Sequence, residues 1–525
     1  MTVVNQQRIA KNTFLLYVRM VVVMLVGLYT TRVVIDALGL EHYGVYDAVG
    51  GIVLMVSFIS STMSGACQRY YSYEMGRQNT ERLKLVFSIS LTVFFILTAF
   101  ILILAETLGI WYLNNQADDG GHTTAARWVY QFSVLAFIIS ILKSPYQGMV
   151  VAKEKMKVFA YLSLFECFAS LATAMILSHT PDIKDNRLIL YGGLMAGIQL
   201  VTSSFYWIYC RLFYAECRLS FRMDKAVFKE MFAYAGWNMI GSCSDVFERV
   251  GLNMLLNVKF GPIVSGARGI ANKVFNTMTQ LNTNFFMAVK PQIYKSHAAG
   301  EKKELHKLVC LATRISFFLV ILVALPILLE TDFILKIWLR GRNITDLAVL
   351  LTKLMVIEGL VNCFTEPLAT AVQATGDIRN YKVVIGGTFL LILPLSYLGI
   401  TFAGLPPESA FIISIIVSFI TQVERLWFVK KQVQLNMRYY FRTVLIPVAI
   451  VAVICISLSI LFKSRIDQIE FDRFWVGPVI VIAVSMLTVC LSFYIFGITK
   501  SERRQAWDMA MNLIGKNETG NKNAD

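Results

Sequence analysis

Charged side chains recur inside long apolar stretches of this sequence, where burial makes them costly and therefore commonly functional. Arg19 lies in such a stretch with no carboxylate within one helical turn, and Arg268 and Lys273 are similarly unpaired in a later one. With no local partner, a buried cation of this kind is better explained by a water-filled cavity than by a structural ion pair. These three residues are therefore candidates for the lining of a cavity.

Two further arginines stand four residues from an aspartate on the same predicted helix. Arg32 is followed by Asp36, and Arg249 is preceded by Asp245. Residues four apart share a helix face, so each couple could be a structural ion pair. The alternative places Arg32 and Arg249 in the cavity and makes Asp36 and Asp245 candidates for coupling an ion.

Three glutamates lie deep in apolar stretches, at Glu166, Glu358 and Glu366. A carboxylate in poorly solvated surroundings can bind and release a coupling proton. The alternative is a buried ion pair, for instance between Glu166 and Lys143.

Hydroxyl and amide side chains form stripes at helical spacing in two stretches. Such stripes avoid lipid, and they either hydrogen-bond neighbouring helices or line a watery cavity. The predicted polar lining consists of Ser57, Ser61, Ser64, Gln68, Asn272, Asn276, Thr279 and Asn282.

The composition assigns these stretches to a membrane. The chain has 525 residues, of which 56% are hydrophobic and only 16% charged, against about 25% charged in soluble proteins. This excludes a soluble globular enzyme and a disordered chain. The net charge of +15 does not indicate nucleic acid binding, because most basic residues fall in short loops and set membrane orientation.

A membrane span needs about 20 mostly apolar residues, and the sequence predicts an all-α polytopic protein with about 14 transmembrane helices. The seventh, eighth and tenth spans are polar enough for hydropathy alone to miss. Lysine and arginine favour the inner segments by about three to one, which predicts cytoplasmic termini. The spans are 12–38, 43–73, 83–113, 126–151, 156–179, 187–211, 230–258, 261–292, 306–331, 345–374, 379–402, 408–429, 441–462 and 474–498.

A weak internal repeat relates the first six spans to the next six at an offset of about 220 residues. Arg32-Val33 stands before Tyr43-Gly44 as Arg249-Val250 stands before Phe260-Gly261, and Pro145 matches Pro367, which predicts kinks at corresponding places. Such duplication is typical of alternating-access transporters. The predicted domains are an N-lobe at 1–215, a C-lobe at 216–435, two extra helices at 436–498 and a cytoplasmic tail at 499–525.

Several motifs of other function classes are missing from the sequence. It contains no GxxxxGK[ST] phosphate loop, no spacing typical of a metal site and no loop large enough for a catalytic domain. We therefore predict a transporter, not an enzyme, with no cofactor or metal.

Motifs spread over the first twelve spans resemble the Wzx-type oligosaccharide flippases, in the polysaccharide transporter branch of the multidrug/oligosaccharidyl-lipid/polysaccharide (MOP) superfamily. They include Arg8-Ile9-Ala10-Lys11-Asn12-Thr13, Gln68-Arg69-Tyr70, Pro145-Tyr146, Ala152-Lys153-Glu154-Lys155-Met156, Phe260-Gly261-Pro262 and Ala267-Arg268-Gly269-Ile270-Ala271-Asn272.

The resemblance implies two six-helix lobes around a cationic cavity. In that cavity Arg19, Arg268 and Lys273 would offset the charge of a pyrophosphate, whose oxygens suit the planar fork of an arginine, and Arg32 and Arg249 are further candidates. It implies a polyprenyl-pyrophosphate-linked oligosaccharide as substrate, such as an O-antigen, capsule or exopolysaccharide repeat unit. The substrate would cross the bacterial inner membrane by alternating access, driven by H⁺ or Na⁺ or by the membrane potential. Membrane lipid and polysaccharide polymerase machinery would be its partners, and nucleic acid would not.

The main rival is a cation-coupled multidrug exporter of the same superfamily, which would favour an acidic and aromatic cavity. A membrane polymerase or ligase would need a large outer loop. A structural scaffold would gain nothing from about twenty ionisable groups within its spans.

Overall fold

The structure is a computed structural model that describes residues 3–38, 57–110, 123–180, 184–217, 224–338, 345–469, 475–499 and 502–503. Every regular element in this described part is helical, which confirms the predicted all-α class.

Eighteen α-helices follow one another in the described ranges. Short π-helical turns lengthen α3, α15, α16 and α18, and a 3₁₀ turn, Ala215–Cys217, follows α6. The helices are α1 Val3–Leu38, α2 Ser57–Gly76, α3 Thr80–Leu104, α4 Thr123–Ala152, α5 Met156–His179, α6 Lys184–Phe213, α7 Lys225–Phe260, α8 Pro262–Ala298, α9 Lys302–Leu329, α10 Thr331–Trp338, α11 Asp346–Asn362, α12 Thr365–Thr375, α13 Arg379–Leu390, α14 Ile392–Phe402, α15 Ser409–Phe428, α16 Met437–Tyr440, α17 Ile446–Ile466 and α18 Val476–Ser492.

The chain is a multi-pass membrane protein. Each of the fourteen predicted spans overlaps at least one of these helices. Ten spans within the described residues are long and apolar enough to cross a membrane. Helices α7 and α8 fail that test, as predicted, because charged and amide side chains interrupt them. The tenth predicted span passes it, since an 18-residue stretch within α11 and α12 has a mean hydropathy of 1.8.

The tenth span is broken between α11 and α12, two helices separated by Cys363 and Phe364. Pro367 has no N–H to donate to the carbonyl of Cys363, so one bond of a continuous helix would be missing there. The predicted kink is therefore a helix break. Pro145 lies inside α4 without ending it.

The chain divides into two compact units. The N-terminal unit comprises Lys11–Ser242 and Lys290–Gly300, and the C-terminal unit comprises Met1–Ala10, Cys243–Val289 and Glu301–Asp525. The lobe boundaries at residues 215 and 435 stay predictions.

In the N-terminal unit, α4 packs along α6 and also contacts α2 and α3, while α5 packs on α6. The apolar cluster between α1, α4, α5 and α6 includes Leu38, Val129, Leu177 and Leu188, none of which is measurably exposed. These contacts fix the membrane-embedded polar groups on α4, α5 and α6 relative to one another.

A buried carboxylate, Glu154, fastens other parts of this unit together at the turn between α4 and α5. Its side chain accepts hydrogen bonds from Gln292 Nε2 at 2.6 Å and from Lys295 Nζ. Its backbone carbonyl accepts a bond from Asn12 Nδ2 at 3.5 Å. Residues from α1 and from the end of α8 thus meet on one residue, the first at its backbone carbonyl and the second at its carboxylate.

In the C-terminal unit, α9 packs against α11, α17 and α18, and α15 packs against α11, α13 and α14. Their shared core includes Leu256, Met278, Val320, Leu351 and Val451. Because these apolar faces hold α8, α11 and α15 in place, the polar faces of the same helices can enclose a cavity.

Polar contacts fasten α9 to the last helices at its end and near its middle. Lys463 Nζ of α17 lies 2.5 Å from Glu330 Oε1, just beyond the end of α9. Near the middle of α9, Arg314 Nη2 lies 2.5 Å from Glu502 Oε1, and Arg314 Nη1 donates to the carbonyl of Gly497 at 3.1 Å. Burial alone would raise the pKa of Glu502, but the Arg314 charge and the hydrogen bonds to its carboxylate hold that pKa below its ordinary value.

Candidate functional site

A polar cavity of about 320 Å³ lies within the C-terminal unit, between α7, α8, α11, α12, α13 and α15. Its volume is that of a small ligand site. The lining residues are Glu248, Arg249, Leu252, Arg268, Asn272, Phe275, Asn276, Thr279, Asn282, Thr283, Met355, Glu358, Asn362, Thr365, Glu366, Phe389, Phe411, Ser414 and Arg425.

Helix α8 supplies the largest share of this lining. Its cavity residues recur three or four positions apart from Arg268 to Thr283, which is the spacing of one helix face. The polar stripe predicted from the sequence therefore faces this cavity. The predicted site residues that the structure brings together here are Arg249, Arg268, Asn272, Asn276, Thr279, Asn282, Glu358 and Glu366.

Arg268 is a buried cation at the α7–α8 side of the cavity, with 4% of its surface exposed. Its Nη1 donates to the carbonyl of Arg249 at 2.9 Å, and its Nε has no hydrogen-bond partner. The charges of Glu248 and Glu358 act on it from α7 and α11. Among the described residues it forms no ion pair with a carboxylate.

Arg425 of α15 is a second buried arginine in the lining, which the sequence-based prediction missed. It is 6% exposed, and its Nη1 donates to the hydroxyl of Tyr381 on α13. One turn earlier, Gln422 Nε2 donates to Thr365 Oγ1 at 2.7 Å and, more weakly, to Asn362 Oδ1 at 3.4 Å. The missed signal was Gln422 preceding Arg425 by three residues, which makes a polar face on an otherwise apolar helix.

The prediction also missed Glu248, which lies next to Arg249 and lines the cavity with it. With Glu248 included, three glutamates and three arginines line the cavity. Around them are eight amide or hydroxyl side chains and a minority of apolar ones. Such a lining can bind charged groups of either sign and can hydrogen-bond sugar hydroxyls.

Lys273 does not reach this cavity. It is exposed and follows Asn272 directly in α8, which turns its side chain about 100° away from the lining face. The structure thus separates Lys273 from Arg268, with which the sequence had grouped it.

Arg19 and Glu166 belong to a separate polar cluster within the N-terminal unit. Arg19 Nε donates to Ser163 Oγ at 2.5 Å, and the guanidinium carbon lies 4.7 Å from the centre of the Phe159 ring. Glu166 Oε2 lies 3.8 Å from Lys143 Nζ. The structure therefore contains the Glu166–Lys143 pair that was one of the two predicted alternatives.

Gln199 joins this pair from α6, accepting from Lys143 Nζ at 3.1 Å and donating to Glu166 Oε1. A coupling role for Glu166 stays a prediction.

For the other predicted site residues, the structure gives only the degree of burial or only the backbone conformation. Ser64 and Gln68 are half-buried on α2, and Asp36 is exposed on α1. The side chains of Arg32, Ser57, Ser61 and Asp245 lie outside the described residues, although their backbones are helical.

Comparison with known proteins places this architecture among membrane transporters. The MatE family model matches residues 251–398, which include the last ten residues of α7, all of the helices from α8 to α13 and the first part of α14. A search of curated proteins by sequence found no match.

Among solved structures, a MATE transporter in the bent conformation superposes with a TM-score of 0.70 at 15% identity, covering 83% of this chain and 98% of that one. A MOP superfamily transporter from Pyrococcus furiosus, whose binding pocket is described as having reverse polarity and suggesting a different function, has a TM-score of 0.69 at 13% identity, covering 83% and 98%.

The MATE transporter ClbM in complex with Rb⁺ has a TM-score of 0.67 at 15% identity, covering 82% of this chain and 96% of that one. At such identities a likeness establishes the fold alone. The chain therefore has the fold of these solved MATE transporters.

Proposed function

We propose that this chain is an alternating-access flippase for an oligosaccharide carried on a lipid pyrophosphate in a bacterial inner membrane. The observation that carries the proposal is the presence of Arg268 and Arg425, both buried and neither in an ion pair with a carboxylate, in one polar cavity. Glu248 and Glu358 act on Arg268 from beyond ion-pair distance, so an anion in direct contact would offset more of the cost of burying these cations.

The remainder of the lining suits the sugar part of such a substrate. Asn272, Asn276, Thr279, Asn282 and Thr283 present amides and hydroxyls along one face of α8. These groups donate and accept hydrogen bonds, as sugar hydroxyls require. The polyprenyl tail can stay in the bilayer, which solvates it better than any polar cavity would.

A cation-coupled multidrug exporter is the second candidate function, and the comparisons favour it more directly. The solved structures of this fold include several MATE transporters, one of them with bound Rb⁺. In this chain the cavity also holds Glu248, Glu358 and Glu366, which could neutralise an organic cation.

Ion coupling is part of both candidate functions, with H⁺ or Na⁺ as the ion. The glutamates Glu358 and Glu366 would supply it within the cavity, and Glu166 within the N-terminal unit. Asp36 and Asp245 remain candidates from the sequence.

The two functions are separated by assigning the leaflet of the lipid-linked oligosaccharide after depletion of this protein. A flippase predicts accumulation on the cytoplasmic side, with outward movement after the chain is restored. If the intermediate distributes normally while toxic organic cations accumulate in the cell, the exporter replaces the flippase.

Two substitutions on α8 connect that assay to the cavity. Arg268→Gln should lower flipping at least tenfold, because the substrate anion loses its buried counter-charge. Lys273→Gln removes the same charge five residues later, on an exposed position outside the lining, and should leave flipping unchanged. Full activity of Arg268→Gln would remove this residue from the substrate site.

A further inference from the structure

The buried cations of the described residues differ in how their charge is compensated. Lys143 lies 3.8 Å and Arg314 2.5 Å from a glutamate oxygen. Arg69 lies over three tyrosine rings, the nearest with its centre at 4.7 Å. Arg268 and Arg425 form no ion pair with a carboxylate, although both are more than nine-tenths buried. Glu248 and Glu358 act on Arg268 from beyond ion-pair distance, and Arg425 lies 5.7 Å from the centre of the Tyr381 ring. Each guanidinium therefore still has room for an anion in direct contact.

Their positions along their helices place these two arginines far apart in the same cavity. Arg268 is six residues from the start of α8, and Arg425 is sixteen residues from the start of α15. The predicted topology begins both helices on the outer side of the membrane. With both helix starts taken at the same depth, a rise of 1.5 Å per residue puts Arg425 about 15 Å deeper toward the cytoplasm.

Neighbouring contacts agree with this separation. Arg268 bonds to Arg249, which is eleven residues before the end of α7 and hence also in the outer half of its helix. Arg425 bonds to Tyr381, the third residue of α13, which starts at the inner side.

We propose that Arg425 is a second anion-binding residue, and that Arg268 and Arg425 form two stations for one phosphate-bearing headgroup at opposite ends of the cavity. The route between the stations rests on the proposed function. The binding of an anion at Arg425 does not, and it can be measured without transport.

The surroundings of Arg425 leave it able to bind a phosphate. The Tyr381 hydroxyl accepts a hydrogen bond from Nη1 of Arg425, and Nε of Arg425 has no hydrogen-bond partner. A guanidinium held at one nitrogen keeps donors for the parallel hydrogen bonds that phosphate oxygens accept. Gln422 Oε1, one turn away, also lacks a partner and can accept from a sugar hydroxyl. Tyr381 is thus a positioning residue.

The test is isothermal titration calorimetry of the full-length protein in detergent with inorganic pyrophosphate at low ionic strength. Wild type should bind two pyrophosphates. Arg425→Gln and Arg268→Gln should each bind one, the lost site being weakened at least tenfold, and the double variant should bind none. Tyr381→Phe should weaken the Arg425 station several-fold without changing the other.

Two controls separate local from general effects. Arg438→Gln removes the same charge from an exposed position and should bind like wild type. Arg425→Lys keeps the charge but loses the fork, so it should fold like wild type and bind pyrophosphate more weakly at that station. Each variant is first compared with wild type by gel filtration.

Wild-type stoichiometry and affinity in Arg425→Gln would overturn the inference, as would a single pyrophosphate, or none, in wild type. If two pyrophosphates bind but depletion leaves the lipid-linked oligosaccharide correctly distributed, the proposed function fails and the two stations remain.

Discussion

Glu154 should be among the most sensitive carboxylates of the N-terminal unit, and Glu154→Gln tests this. The substitution preserves the shape of the side chain and an acceptor for Gln292, but it removes the charge that faces Lys295. The predicted loss is therefore that of one ion pair and not of the whole contact.

The free energy of unfolding lost in this variant depends on how deeply the two charged side chains are buried. The side chain of Glu154 is 2% exposed and that of Lys295 is 24% exposed. Breaking a fully buried pair costs about 3–5 kcal/mol, whereas an exposed pair contributes at most about 1 kcal/mol. Because Lys295 keeps some contact with solvent, we expect a loss of about 2 kcal/mol, between these limits. For a unit of this size that lowers Tm by about 4–8 °C.

A thiol-reactive dye can follow this unfolding, because Cys67 and Cys210 are buried thiols in the same unit. Glu81→Gln is the matched control, since its pair with Lys84 is exposed on both sides, and it should shift Tm by less than about 2 °C. Lys295→Met completes a double-mutant cycle with Glu154→Gln.

A Tm of Glu154→Gln within about 1 °C of wild type would refute the argument from burial. So would strict additivity of Glu154→Gln and Lys295→Met, because it would show that the two charges do not interact.

Two further stability predictions follow from local geometry. The pKa of Glu502 lies below the ordinary value of 4.5, so its stabilising ion pair is complete above that pH and is lost as the pH falls through the lowered pKa. An acid series of melting curves should show wild type approaching Glu502→Gln at low pH, and a constant gap would contradict this. Gly76→Ala should destabilise by about 1–3 kcal/mol, because its Cβ would lie 2.6 Å from the carbonyl oxygen of Lys295. Gly197→Ala meets nothing within 4 Å and should be neutral or stabilising by up to about 1 kcal/mol; equal melting temperatures of these two alanine variants would show that the close approach at Gly76 is not restrictive.

Much of the fold could be predicted because lipid imposes one simple requirement. A backbone in hydrocarbon must satisfy its own hydrogen bonds, so each long apolar stretch is a helix. Helix α8 was predictable for a second reason. Its polar residues recur on one face, which indicates a helix with a cavity on one side even where mean hydropathy is low.

The candidate site was less predictable, because its decisive contacts join distant parts of the chain. Arg425 and Tyr381 are 44 residues apart, and no pattern around either residue indicates the other. Arg425 lies in the last turn of its helix, where an arginine normally reaches the membrane surface. Lys273 shows the reverse case, because its helical phase relative to Asn272 already placed it off the polar face.

The polar contacts at the end and near the middle of α9 also bear on how the last helices reach their place. The hairpin of α17 and α18 is largely apolar, with mean hydropathies of 3.0 and 2.6 over 18-residue stretches of its two spans, so it can enter the bilayer without help from the rest of the protein. Apolar side chains alone would then allow it to slide along α9 by a turn at little cost, since lipid and protein solvate them alike. Lys463 meets Glu330 at the end of α9, and Glu502 meets Arg314 near its middle. A shift of one helical turn would separate both pairs at once, so these two contacts select a single register during assembly.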